Sequence, residues 1–219
     1  LAEHSSDGEK GYLYPPTPGE PNGNVLDGRV KDTKFDVDRG FYDEPFTVNV
    51  TCSTLGTSIS YTVDGSIPTP EHGTIVSPND EFSLGVAAIE ISTTTVLRAI
   101  SFKTGSLPSN VDTQTYIFTR DVIRQSANPE GFPTTWGVFT GVNGGSQGQP
   151  VPADYEMNPA IVNANPEGLQ QSLLQLPTIS IVADPEDLFG KNGILANPFG
   201  NVNGSGVHNQ RPFIPDRLA

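Results

Sequence analysis

The most regular pattern in the chain has period two. Phe46, Val48, Val50 and Cys52 alternate with Thr47, Asn49 and Thr51, which sends four apolar side chains to one face of an extended strand and the polar ones to the other. Ile59, Tyr61 and Val63 repeat the alternation and run into Asp64-Gly65, a dipeptide suited to leaving a strand through a tight turn. Tyr61, in phase with Ile59 and Val63, is expected in the core. Further strands are predicted at 81–84, 87–91, 95–102 and 113–118, broken by Ser77-Pro78-Asn79-Asp80, Lys103-Thr104-Gly105-Ser106 and Pro108-Ser109-Asn110. Six or seven short strands in about 85 residues fit a small β-sandwich over 34–119. Each strand is too short to stand alone, and the inward alternation supplies the two apolar faces that a sandwich buries together.

On either side of this region the periodicity fades. Residues 1–33 are rich in Gly, Pro, Asn, Asp and Glu, and Pro15, Pro16, Pro18 and Pro21 fall close together. Prolines pre-set an extended backbone and remove hydrogen-bond donors, so the stretch is predicted to be a semi-rigid connector to another domain. Residues 120–219 are expected to be a mostly irregular extension, with Gly141, Gly144, Gly145 and Gly148 in one loop and Phe132, Trp136 and Phe139 pinning it to a neighbouring surface. One short amphipathic helix is predicted there: Asn165 as cap, Pro166 and Glu167 in the first turn, Leu169, Leu173 and Leu176 on one face, and Pro177 as the stop. Asp184-Pro185-Glu186-Asp187-Leu188-Phe189 reads as a second capped turn, and 178–182 as a short β-branched run. The predicted fold is therefore all-β, a sandwich with long N- and C-terminal extensions and one or two short helices. Long irregular segments cannot bury their own apolar groups, so Phe132, Trp136, Leu173, Leu176, Ile181 and Phe189 need a surface to cover.

Composition narrows the function. Hydrophobic residues make up 35% and charged residues 17% of the 219, and there are 23 glycines and 20 prolines; the flanks, and not a uniformly thin core, account for the low apolar content. A net charge of −13 would repel a phosphate backbone or an anionic lipid surface, so nucleic acid is not an expected partner. No apolar run approaches the length of a membrane span. The sequence opens at Leu1 without a recognisable signal segment and reads as a processed or excised part of a longer chain. The single cysteine, Cys52, rules out an internal disulfide framework and any multi-cysteine metal cage.

No arrangement of residues reads as a catalytic centre. His4, His72 and His208 lie in separate turn-rich contexts without partners at ligand spacing. There is no Gly-x-Ser-x-Gly turn, and nothing in the spacing places a serine beside a histidine. The Gly-rich loop lacks the Lys-Ser/Thr pair of a phosphate-binding loop. Asp36, Asp38 and Asp43 are read first as a solvated acidic edge, with a calcium ion as the one candidate cofactor, because alternate carboxylates in a loop point the same way. Asn49-Val50-Thr51 and Asn203-Gly204-Ser205 match the glycosylation pattern. Aromatic side chains can stack on sugar rings, which makes Trp136, Phe139 and Tyr155 the candidate carbohydrate contacts.

Four ordered blocks carry a family resemblance: Gly40-Phe41-Tyr42-Asp43-Glu44-Pro45-Phe46-Thr47-Val48, Ile59-Ser60-Tyr61-Thr62-Val63-Asp64-Gly65-Ser66-Ile67-Pro68-Thr69, Thr95-Val96-Leu97-Arg98-Ala99-Ile100-Ser101-Phe102, and 109–118. Together they resemble the chitobiase/β-hexosaminidase C-terminal-type domain, a pattern shared with fibronectin-III-associated modules. The resemblance implies an immunoglobulin-like sandwich that accompanies catalytic or adhesive domains in secreted bacterial proteins and is not itself catalytic. The stretch with Asp121-Val122-Ile123-Arg124, Phe132-Pro133-Thr134-Thr135-Trp136-Gly137, Asp154-Tyr155-Glu156-Met157 and Leu176-Pro177-Thr178-Ile179-Ser180-Ile181-Val182 resembles the lead-in to CotH-type surface proteins, and the opening connector is similar to the exit of a lamin-tail-type domain. CotH proteins are related to atypical kinases. The nucleotide-binding lysine and metal-binding acids of that family do not follow before Ala219, so no catalytic residue is carried over.

The expectation is a non-catalytic structural, scaffold or adhesion module of a secreted or cell-surface bacterial multidomain protein. Its partners would be neighbouring domains of a longer chain or copies of itself in a surface assembly. The alternatives are a carbohydrate-binding accessory module of a glycan-active enzyme, with polysaccharide as partner, and a fragment of a CotH-type atypical kinase.

Overall fold

A computed structural model describes residues 2–3, 10–13, 25–26, 28–138 and 149–189. In chain order its strands are β1 (Ala2–Glu3), β2 (Lys10–Leu13), β3 (Val25–Leu26), β4 (Lys34–Phe35), β5 (Gly40–Phe41), β6 (Phe46–Leu55), β7 (Ser58–Thr62), β8 (Thr74–Val76), β9 (Leu84–Ile91), β10 (Thr95–Phe102), β11 (Asp112–Ile117), β12 (Thr135–Val138) and β13 (Pro150–Pro152). The helices are α1 (Thr119–Val122), α2 (Pro159–Ala164), α3 (Pro166–Gln175) and α4 (Pro185–Phe189). Two units divide the chain: Leu1–Gln125 with Met157–Val182, and Ser126–Glu156 with Ala183–Ala219.

The first unit holds a sandwich of a three-stranded sheet, β4-β6-β9, and a five-stranded sheet, β5-β11-β10-β7-β8. The long β6 pairs antiparallel with β9 from Phe46↔Ile91 to Cys52↔Gly85, then shifts register to Leu55↔Leu84. Because side chains alternate across a strand, this register puts Val48 and Val50 beside Ala87, Ile89 and Ile91 on one inner face. Ile59, Leu97, Ala99, Tyr116 and Phe118 meet them from the other sheet and the end of β11. Full burial of a Val, Leu, Ile or Phe side chain stabilises by about 1.5–3 kcal/mol, so these ten residues dominate the folding of the unit. The fold is the expected all-β, immunoglobulin-like sandwich. Tyr61 packs against this core as expected, whereas Val63, in the same phase, is half exposed beyond the end of β7.

Alternation fails in β7 for a physical reason. Ser60 and Thr62, on the face opposite Tyr61, are buried, because the loop after the strand folds back over them: Ser60 Oγ donates to the His72 carbonyl at 2.8 Å and Thr62 Oγ1 to the Ser66 carbonyl at 2.6 Å. The expected strand at 81–84 is also not formed. Asp80 Oδ1 accepts from the Phe82 amide at 2.9 Å and from Ser83 Oγ at 2.7 Å, closing a turn that leaves Phe82 in solvent, and β9 begins only at Leu84. The short β4, β5 and β8 carry too few residues for alternation to announce them.

The expected connector over 1–33 differs from the structure in two ways. Short antiparallel ladders order β1-β2-β3 within it, and these rest on backbone pairing that side-chain periodicity does not signal. Its last residues also belong to the sandwich: Val30 is buried, its amide donates to the Leu107 carbonyl, and the Leu107 amide donates to Gly28. The predicted helix is α3, with Asn165 Oδ1 accepting from the Gly168 amide at 3.0 Å and Pro166 at its start. The second predicted turn is α4, capped by Asp184 Oδ1 on the Glu186 amide. Among the described residues there are four short helices, not one or two; α1 and α2 lack the leucine spacing that marks α3. No helix among the described residues is long and apolar enough to cross a membrane.

The second unit is built differently. β12 pairs antiparallel with β13 through an irregular register, Thr135↔Pro152 and Val138↔Pro150. The Ala153 amide donates to Thr134 and the Tyr155 amide to Ala127. Phe132, Tyr155 and Phe189 meet edge to face, with centroids 5.5, 5.8 and 6.5 Å apart.

Candidate functional site

Asp64-Gly65 leaves β7 as the sequence predicts. Gly65 takes a left-handed φ of 82°, Gly73 one of 112°, and a side chain at Gly73 would fall 2.7 Å from Ser60 Oγ and the Tyr61 carbonyl. Between them Asp64 Oδ1 accepts from the Ser66 amide at 2.9 Å and from Ser66 Oγ at 2.6 Å, and Ser66 Oγ lies 3.0 Å from His72 Nε2. The structure thus does place a serine beside a histidine, across a loop that spacing alone does not close. Its geometry is that of a clasp. The hydroxyl has one proton, which the short contact assigns to Asp64, so the imidazole faces an oxygen whose proton is already committed. In a nucleophilic triad the acid orients the histidine instead. These hydrogen bonds hold the Asp64 carboxyl below the usual carboxylate range, the Ser66 hydroxyl contributing most. Across the loop the Arg98 guanidinium donates to the Gly65 carbonyl at 3.1 Å.

Asp36, Asp38 and Asp43 are all exposed, as an acidic edge would be, and each makes contacts of its own. Asp36 accepts from the Asn49 amide and from Asn49 Nδ2, both at 2.7 Å, and the side-chain bond is the larger cause of its lowered pKa. Asp38 meets Tyr42 through its backbone carbonyl, and Asp43 meets Arg120 through its own. Among the described residues no three His, Cys, Asp or Glu side chains form a group that could hold a metal. Asn49, the first candidate glycosylation acceptor, sits on β6 with its amide nitrogen committed to Asp36. Asn203-Gly204-Ser205, His4 and His208 lie outside the described residues.

Of the candidate sugar-stacking residues, Phe139 lies outside the described residues and Trp136 is placed only as part of β12. Tyr155 donates its hydroxyl to the Pro133 carbonyl at 3.1 Å and presents its ring to Phe132 and Phe189. Among the described residues of the first unit, two grooves stand out. One of about 520 Å³ lies where Thr178, Ser180 and Val182 cross Thr113, Thr115 and Ile117, with the Thr115 and Ser180 hydroxyls 2.9 Å apart. Ile179 and Ile181 are 85% and 77% exposed and Leu176, just past the end of α3, is 62% exposed, so the surface expected to cover Leu176 and Ile181 is not found; only the alternate residues of the run meet the sheet. The other, of about 590 Å³, is lined by the chain leading into β4; nothing in the period-two pattern singles it out.

The fold defines the class: an immunoglobulin-like sandwich whose polar loops are clasped by their own side chains. Residues 37–113 match the family model of the chitobiase/beta-hexosaminidase C-terminal domain, which spans the central strands of both sheets and about a third of the chain. Among curated proteins nothing matches the chain.

Proposed function

We propose that the chain is a non-catalytic accessory module of a longer, secreted or cell-surface bacterial protein of the glycan-acting kind. In this reading it holds its neighbours in position and turns over no substrate. The observation that carries this reading is the match over 37–113, falling on a sandwich whose interior is filled by ten side chains of its own. The Ser66–His72 contact supports it as well, since its hydrogen bonds close a loop over β7. The CotH-type reading of the later residues would rest on sequence resemblance alone and is not adopted.

The test is turnover and nucleotide binding by the full chain. Incubation with a chromogenic N-acetylglucosaminide is expected to release nothing above buffer, and ATP with magnesium to leave the melting temperature unchanged. Release that survives repurification and is lost on Ser66→Ala, or a melting temperature raised by ATP, would contradict the proposal.

A further inference from the structure

The chain carries 12 lysines and arginines against 25 acids, yet Arg29, Lys31 and Lys34 gather along the 590 Å³ groove at the entrance to β4. That volume falls within the range of about 300–1,000 Å³ typical of ligand sites. At ~3.3 Å per extended residue the three cations span at most roughly 16 Å. Among the described residues the Lys31 and Lys34 side chains have no carboxylate within salt-bridge distance, and the Arg29 guanidinium donates to Asn110 Oδ1, a neutral acceptor. The one acid of the lining, Asp32, accepts from the Asn110 amide at 3.1 Å and keeps its charge, so three cations face one anion there; Asp112, outside the lining, accepts from Thr33 Oγ1 at 2.6 Å.

The backbone carrying these cations is fixed. The Val30 amide donates to Leu107, the Lys31 amide to Thr54 Oγ1 at 3.1 Å, and the Lys31 carbonyl accepts from Ser101 Oγ at 2.7 Å and from Cys52 Sγ at 3.2 Å. Lys34 is held opposite Thr51 in the β4–β6 ladder. With the backbone already fixed, only the three side chains are left to be ordered when this row of cations meets a row of anions.

We infer that this groove binds a linear acidic polysaccharide, its carboxylate or sulfate groups meeting Arg29, Lys31 and Lys34 and its hydroxyls meeting Ser53 and Asn110. The site goes beyond the accessory reading and does not rest on it. The lining residues include no aromatic side chain, so the groove offers neither the platform on which neutral sugars stack nor the one that single-stranded nucleic acids require. A duplex carries one charge per ~1.7 Å, far denser than three cations over such a length can match, and the net charge of −13 opposes it everywhere else. Arg29, with a fork of donors only partly used, is the residue suited to grip a carboxylate or sulfate in two places.

Affinity electrophoresis of the full chain decides it, with polygalacturonate and dextran sulfate as the acidic probes and dextran, chitohexaose and a thymidine oligonucleotide as controls. At low salt at least one acidic polysaccharide is expected to retard the chain and the controls not to. Which of the two retards more tells carboxylate from sulfate. Lys31→Ser with Lys34→Ser, both exposed, should weaken the effect by about tenfold with the melting temperature unchanged, whereas Arg124→Ser, a cation outside the groove, should not change it. No retardation by either acidic probe, retardation indifferent to the lysine pair, or equal retardation by the oligonucleotide would each overturn the inference.

Discussion

The sandwich and the unit formed from Ser126–Glu156 and the helix α4 are held together by different means. In the sandwich, successive side chains of β6 and β9 alternate between solvent and interior, and Val48, Val50, Ile89, Ile91 and Leu97 are buried at 0–4% exposure. In the other unit Ala153 is buried, but Phe132 remains 43% exposed even within the aromatic trio it forms with Tyr155 and Phe189. Edge-to-face aromatic pairs add about 0.5–1.5 kcal/mol each, whereas a packed aliphatic core accumulates that amount several times over. The lesson is one of scale: three aromatic groups order a loop but do not make it the source of the chain's stability.

Removing one side chain from each region separates the two means of stabilisation. Leu97→Ala, which empties space at the middle of β10, should cost about 2–5 kcal/mol. Phe132→Ala, which removes two edge-to-face pairs of about 0.5–1.5 kcal/mol each, should leave the urea midpoint of the sandwich nearly unchanged. Equal losses would show that the two regions share one cooperative core.

A smaller effect, confined to the loops, comes from acid. Asp36, Asp64 and Asp80 have lowered pKa values, each held down chiefly by a side-chain hydrogen bond, from Asn49, Ser66 and Ser83 respectively. A depressed carboxylate contributes stability that is present above its unfolded value of about 3.9 and is lost as pH falls through its folded value. The urea midpoint should therefore hold from neutral pH down to about 4 and fall below it, and Asp64→Asn should flatten that fall. At the other extreme, burial pushes the Tyr116 phenol well above its usual range, with its hydroxyl donating to the Val37 carbonyl at 2.9 Å. The stability from that neutral phenol is complete below about pH 10 and declines as pH rises beyond it.

Period-two alternation made the sandwich legible wherever a strand has one wet face. β6 and β9 are of that kind, and the Asp64-Gly65 turn and the Asn165 cap are written in single residues whose backbone preferences are strong. The chain was less legible where a second layer covers the outer face, as the 64–73 loop does over Ser60 and Thr62, because burial by polar hydrogen bonds leaves no apolar signature. Strands of two or three residues were hidden for want of length. The basic groove escaped the pattern for another reason: Arg29, Lys31 and Lys34 look like an ordinary solvated run until Leu107, Thr54 and Ser101 fix their backbone beside Asn110. The Ser66–His72 contact needed the turn at Gly73 to close a loop, and no spacing rule announces that.

The stability of the chain resides in one sandwich core, to which the remaining segments add little. Residue-resolved amide hydrogen exchange of the full chain tests it most directly. Amides of β6, β9, β10 and β11 are expected to exchange only through global unfolding, and those of β12, β13 and α4 through local opening at far lower free energy. Equal protection of β12 and β6 would contradict it.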